Sequence, residues 1–365
     1  MKVFAFLTGT LFSIIMSSEI QSQTFTPRYN SGINPNVTGY YEYLPAGYNL
    51  PQNANKKYPV IFYFHGGGEF GSYGNNNNNL EILKQSALPH IINTGKLPSF
   101  FTLGDDTFSY IIICPQFING PGSIPSTDVT PAQIDAVINY TFSQPNYRID
   151  LGKVYLTGFS VGGKPPWEYI MGGMQYARKI AAIIPISSWC YLPSLVLSNL
   201  QYGARAGVAV WALHQPMDGS ALPSDCFTNY LQTFNSYNPV IPAQGTLACV
   251  PGSPAPCAHD SSFWNTIYTY TNYTLPGTGL NIYQWLYQFR LTNIWNGTID
   301  GQWENPTNWS FGIVPNSYMD VIIKAGTPFS PTVNSNISIY GLTVRTGATL
   351  TINPGARVNV TKPVP

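Results

Sequence analysis

Lys153-Val154-Tyr155-Leu156-Thr157 is a run of strand-forming residues that ends directly in Gly158-Phe159-Ser160-Val161-Gly162. Glycines and serines are common in this chain, so a G-x-S-x-G pattern alone would say little. Its position at the end of a strand says much more. Small residues two before and two after the serine let the backbone reverse sharply, so that the serine Oγ projects from the tip of a sheet. Gly163 adds room for close packing. Lys164-Pro165-Pro166 follows at once. Proline suits only the first turn of a helix, so the next helix is expected to start late, near Trp167.

Other runs fill out the sheet. Val60-Ile61-Phe62-Tyr63-Phe64 is continuously apolar, as a strand buried on both faces should be. Tyr110 to Cys114, Ile183 to Ile186 and Val208 to Leu213 read the same way, and Gly39 to Leu44 alternates like a half-buried strand. Helical signals lie between them. A helix is expected from Leu80. Thr130-Pro131-Ala132-Gln133 is a capped helix start, and Ile134, Val137 and Ile138 continue it at helical spacing. Leu280 to Phe289 places Leu280, Tyr283, Leu286 and Tyr287 on one face. Strands alternating with helices predict an α/β fold with a mostly parallel sheet flanked by helices.

Beyond about Leu291 the texture changes. Trp295, Trp303 and Trp309 crowd together, and short runs follow at 321–323, 337–339, 342–344, 350–352 and 358–360. No helical spacing appears there, so a small all-β module with its own core is expected. The tryptophans are either that core or an aromatic platform for a glycan. The expected domains are a signal segment at 1–22, a catalytic domain at 23–291 and the β-rich module at 292–365.

Charged residues are 9% of the chain, far below the usual ~25%. With a net charge of +1 and no basic runs, an electrostatic nucleic-acid partner is excluded. Met1-Lys2 followed by the apolar run Val3 to Met16 and polar Ser17 to Gln23 has the form of an export signal, with cleavage expected after Ser22. No later segment is long and apolar enough to span a bilayer, so an exported protein is expected, extracellular or periplasmic. Export permits disulfides. Cys249 and Cys257 bracket a stiff proline-containing loop and form one expected pair, Cys190 and Cys226 a second. Cys114, inside an apolar run, is expected to be a buried thiol. No Cys-x-x-Cys spacing points to zinc.

Several residues fit acyl-transfer chemistry around Ser160. His65-Gly66-Gly67-Gly68-Glu69 ends a strand, and its glycines allow backbone N–H groups to point at a ligand. Two such donors stabilise the oxyanion of a tetrahedral intermediate. One is assigned to Gly67 or Gly68 and the other to Val161. The base follows from chain order: nucleophile, acid, then base. Of the four histidines, 65, 90, 214 and 259, only His259 follows Ser160 with a well-placed acid between them. Glu168 falls on the helix after the nucleophile, which leaves Asp218, just past the strand ending at Leu213, with Asp225 as the alternative. Asp260 adjoins His259 too closely to orient its ring.

These pieces carry a family resemblance from about Thr38 to Arg290. Tyr58 to Glu69, Ile134 to Ile138, Tyr147 to Asp150, Val154 to Gly163, Trp211 to His214, and His259-Asp260 with Trp264 resemble the α/β-hydrolases, in particular the secreted esterase and polyester-depolymerase-like group that includes predicted peptidases. The resemblance implies a Ser160-Asp218-His259 triad with no metal or organic cofactor. The group often has glycine after the strand-end histidine; this chain has Gln215. In the tail, Trp303, Asn305, Asn308, Trp309, Gly312, Val314, Pro315 and Asp320 are similar to β-rich modules of secreted surface proteins of the Bacteroidetes group. The expected function is a secreted serine carboxylester hydrolase whose partner is an ester, with a polymer such as an acylated polysaccharide or polyester favoured by the tail, which would contact a glycan or cell surface. A serine peptidase with the same triad and a non-catalytic carbohydrate-binding protein are the alternatives.

Overall fold

The computed structural model describes residues 22–29, 32–71, 79–118, 129–189, 196–222, 227–249, 257–269, 274, 276 and 278–362. The signal segment, most of the asparagine run, Cys190, Cys226 and Asp225 lie outside them.

One sheet dominates. Its strands are β1 (Thr24–Tyr29), β2 (Val37–Leu44), β3 (Tyr58–Phe64), β4 (Ile111–Phe117), β5 (Ile149–Phe159), β6 (Ala182–Ile186), β7 (Ala209–His214) and β8 (Gln244–Leu247). Their spatial order is β1-β2-β4-β3-β5-β6-β7-β8. β1 pairs antiparallel with β2, and β2 with β4; every other pairing in the sheet is parallel. This order, with its single exchange of β3 and β4, is that of the α/β-hydrolase fold. β2 is buried along nearly its whole length, not half-buried, because β1 and β4 flank it on both edges and side chains cover both faces.

The helices are α1 (Ala87–Asn93), α2 (Pro131–Ser143), α3 (Lys164–Met171), α4 (Met174–Ala177), α5 (Leu200–Arg205), α6 (Tyr230–Ser236), α7 (Ser261–Tyr268) and α8 (Ile282–Tyr287). α1 packs on α7, while α2, α3, α5 and α6 pack in succession. The expected helix from Leu80 begins as a 3-10 segment, Leu80–Gln85, before α1. α2 starts with a full capping box between Thr130 and Gln133, which satisfies amides that have no partner inside the helix. α3 starts at Lys164 and not near Trp167. Pro165 and Pro166 fall in its first turn, where a missing N–H removes no helical bond. α8 is shorter than its spacing implied. Asn281 caps it, and Ile282, Tyr283, Trp285 and Leu286 are its buried residues.

The tail is β9 (Thr292–Trp295), β10 (Asp320–Ile323), β11 (Thr332–Val333), β12 (Asn336–Ile339), β13 (Gly341–Val344), β14 (Thr351–Ile352) and β15 (Arg357–Val360). All its ladders are parallel: β9-β10-β13, β11-β14 and β12-β15. Three successive strands thus pair with the next three, roughly twenty residues on, in the manner of stacked solenoid coils. Trp295, Trp303 and Trp309 are buried with Val321, Ile323, Val333 and Ile339 in a second core. Trp309 meets Trp303 edge-on at 4.6 Å and Trp295 at 5.0 Å. The rings therefore serve as core and do not form an open aromatic face. Phe311 and Met319 belong instead to the main core. The bond from Arg290 Nη1 to the Tyr318 carbonyl at 3.1 Å ties the two regions together, as does the bond from Arg178 Nη1 to the Phe311 carbonyl at 3.3 Å.

Candidate active site

β5 delivers Ser160 to the carboxyl edge of the sheet. The residue has φ 55, in the left-handed region that a serine rarely adopts. The flanking glycines are dictated by crowding. A Cβ on Gly158 would lie 2.1 Å from the Gly162 carbonyl oxygen, and one on Gly162 would lie 2.2 Å from that of Phe64. The tight turn continues as a 3-10 segment, Ser160–Gly163, into α3.

His259 stands between Ser160 and Asp218. The Ser160 hydroxyl donates to His259 Nε2 at 2.9 Å, and His259 Nδ1–H donates to Asp218 Oδ2 at 2.7 Å. The other carboxylate oxygen, Oδ1, accepts from the backbone N–H groups of Ser220 at 3.0 Å and Ala221 at 2.8 Å. Burial pushes the Asp218 carboxyl up, but the bonds from His259 and Ala221 outweigh it and hold the group below its ordinary value. Asp218 is only 2% exposed. An ionised carboxylate this dry keeps its partner imidazole in one tautomer and stabilises the imidazolium that forms on proton uptake.

The other histidines have different places. His65 is buried, accepts from Phe117 N–H through Nε2 at 3.1 Å and donates from Nδ1 to the Gly66 carbonyl at 2.8 Å. Burial lowers its pKa to about 4, so it is neutral and holds the glycine loop in place. His90 lies on α1 with Nδ1 3.3 Å from the Lys84 carbonyl. His214 ends β7 and gives its Nε2 proton to the Ala221 carbonyl at 2.7 Å. Glu168 is buried on α3, with Lys164 Nζ 3.7 Å from its Oε1.

Gly66, Gly67, Gly68 and Glu69 border a cleft of about 490 Å³ together with Ser160, His259 and Trp264. Gly67 lies against Val161; a Cβ there would come within 3.3 Å of Val161 Cγ2. The loop that was expected to supply oxyanion donors is thus beside the residue after the serine. Phe159 stacks on Trp264 at 4.5 Å, and Trp264 in turn contacts the His259 ring at 5.0 Å. Gln85 and Ser86 also line the cleft, and no sequence signal pointed to them. Burial raises the Glu69 carboxyl above its usual range, partly offset by the Ser86 hydroxyl.

Cys249 and Cys257 are disulfide-bonded, and Cys114 is a buried free thiol. Among the described residues, no helix is long and apolar enough to cross a membrane.

A family model described as a domain of unknown function, DUF8693, matches residues 294–365, the solenoid-like tail. Comparison with curated proteins gives no match. Among solved structures, a thermostable esterase is similar at 16% identity with a TM-score of 0.49, covering 74% of this chain; the chain spans 63% of that protein. A ferulic acid esterase is similar at 14% identity with a TM-score of 0.43, covering 67% of this chain and 94% of the other. A mutant feruloyl esterase module from Clostridium thermocellum, complexed with sinapinate, is similar at 17% identity with a TM-score of 0.39, covering 69% of this chain and 94% of the other. The fold assignment rests on the strand order and the polarity of the sheet.

Proposed function

We propose that the chain is an exported serine hydrolase of carboxylic esters. The observation that carries this reading is the single imidazole of His259, bonded on one side to Ser160 Oγ at 2.9 Å and on the other to Asp218 Oδ2 at 2.7 Å. Ser160 Oγ attacks the ester carbonyl as His259 Nε2 takes its proton. The oxyanion is held by the N–H of Val161 and that of Gly67 or Gly68. His259 returns the proton to the leaving alcohol, and an acyl group remains on Ser160. His259 then activates a water that releases the acid. The protein's own groups balance every proton transfer, so the scheme calls on no cofactor.

The disulfide near His259 supports export, because such bonds persist in oxidising compartments. The β-rich tail supports a surface or polymeric substrate, such as an acylated polysaccharide or a polyester. A tethered module that contacts the same surface would raise the local concentration of enzyme there.

The test is hydrolysis of a chromogenic acetyl ester, followed by feruloyl, acetyl-polysaccharide, polyester and peptide substrates. Ester turnover that disappears in Ser160→Ala supports the proposal. Turnover of peptides but not esters would replace it with a peptidase. No Ser160-dependent turnover on any substrate would leave a non-catalytic binding protein.

A further inference from the structure

Gln215 occupies the position where the resembling hydrolases often have glycine, and the reaction scheme above gives it no task. Its surroundings do. The residue is 0% exposed and immediately follows His214 at the end of β7. Its backbone carbonyl accepts from Asp218 N–H at 3.3 Å, which closes the turn that presents the acid. Its carboxamide reaches the loop that presents the base. Nε2 donates to Asp260 Oδ2 at 2.8 Å and also to the Ala258 carbonyl, while Oε1 accepts from Asp260 N–H at 3.3 Å. The amide orientation is fixed by this set, since a carbonyl and a carboxylate can only accept and an N–H can only donate.

One side chain thus grips the residues directly before and after His259, and its own backbone closes the turn leading to Asp218. We propose that Gln215 is a positioning residue that sets His259 in register with Asp218 and Ser160. It acts through His259 and does not touch the substrate. Asp260 is held from its other side as well, because Oδ1 caps α7 by accepting from Ser262 N–H at 2.8 Å. The Cys249–Cys257 disulfide anchors the chain just upstream. Glycine at 215 could make none of the side-chain bonds. A family member with glycine there must orient its histidine loop by other means.

The proposal rests on the triad reading, and its experiment separates the two. In the full chain, Gln215→Leu keeps the size of the side chain and removes its polar atoms. Its kcat on a chromogenic ester should fall about 10- to 100-fold, the scale of a displaced catalytic group, with KM unchanged. The downfield imidazole proton of His259 should broaden or vanish, and amide exchange at 258–260 should quicken. In a His259→Ala background, Gln215→Leu should cost nothing further, as expected for residues acting as one unit. Should the leucine variant fail to fold, Gln215→Asn keeps the amide but is one methylene too short to reach Asp260, and the same changes are expected.

Unchanged kcat, imidazole proton and exchange in a folded variant would overturn the clamp. So would an equal further loss in the His259→Ala background, which would place the action of Gln215 elsewhere. If Ser160→Ala still hydrolyses the ester, the triad reading fails instead. The imidazole proton and the exchange rates then still decide whether Gln215 holds the His259 loop.

Discussion

His214 Nε2 lies 3.6 Å from Asp218 Oδ2, yet its proton goes to the Ala221 carbonyl at 2.7 Å. Burial pushes His214 below the ordinary histidine value, partly offset by its bond to Ala221 and by the charge of Asp218. It is therefore a neutral neighbour of the acid and not an ion-pair partner. Two histidines face one carboxylate, and only His259 is placed to take a proton from Ser160. His259→Ala should lower kcat by on the order of 10⁴-fold or more, because the nucleophile loses its proton acceptor. His90→Ala should leave kcat nearly intact. Steady-state kinetics on a soluble ester decides between them, and a damaging His90 change would refute the assignment.

Asp218→Asn should cost on the order of 10⁴-fold in kcat with a folded protein, because an amide can hold His259 in the wrong tautomer. Asp225→Asn should cost far less. Similar small losses in both variants would leave the acid unassigned.

His65 predicts how stability depends on pH. Its pKa is about 4 in the folded protein against an ordinary 6.5, the result of burial. Above pH 6.5 the group is neutral in both states and imposes no penalty. As the pH falls from 6.5 toward 4, the unfolded chain takes up the proton and the folded one does not, so stability is lost. The loss is on the order of 3 kcal/mol when complete. The depressed Asp218 acts in the same direction at still lower pH. Urea denaturation at pH 7 and pH 4.5 should show the fall, and His65→Asn should flatten it. An equal slope in the variant would assign the effect to other groups.

Reduction of Cys249–Cys257 should both destabilise the protein and slow it. A disulfide closing a short loop is typically worth about 2–4 kcal/mol. This one ends two residues before His259, so kcat should drop with KM little changed. Thermal melts and kinetics with and without a reductant test this, and Cys249→Ser with Cys257→Ser should reproduce the reduced behaviour.

Removing the tail should lower stability. Phe311 and Met319 are 0% and 2% exposed and sit in the main core, and burial of each contributes about 1.5–3 kcal/mol. A chain ending near Thr292 should melt at a lower temperature and still turn over small esters below that temperature. An unchanged melting temperature would mean that the tail is an independent unit.

Much of this was legible in the residues. A strand running into Gly158-Phe159-Ser160-Val161-Gly162 allows few geometries, because the crowding at positions 158 and 162 comes from the backbone itself. The capped start of α2 and the apolar runs of β3 to β7 are equally local. So was the chain order of Ser160, Asp218 and His259, the three residues that hydrogen bonds join in the structure. Local chemistry determines these features, since a turn, a cap or a buried strand depends on neighbours close in sequence.

Contacts between distant segments were not legible. Nothing near Gln215 shows that its amide meets residues 258 and 260. The late start expected for α3 gave way because prolines fit the first turn once Ser160–Gly163 had already bent the chain. The parallel pairing of the tail strands, and the burial of its three tryptophans, required the coils to stack. The sequence alone determined the strand-turn-helix around Ser160 and the kinds of residue available to serve it. Only the tertiary structure decided which of those residues meet, because hydrogen bonds across a sheet edge depend on where the loops cross in space, and chain order does not encode that.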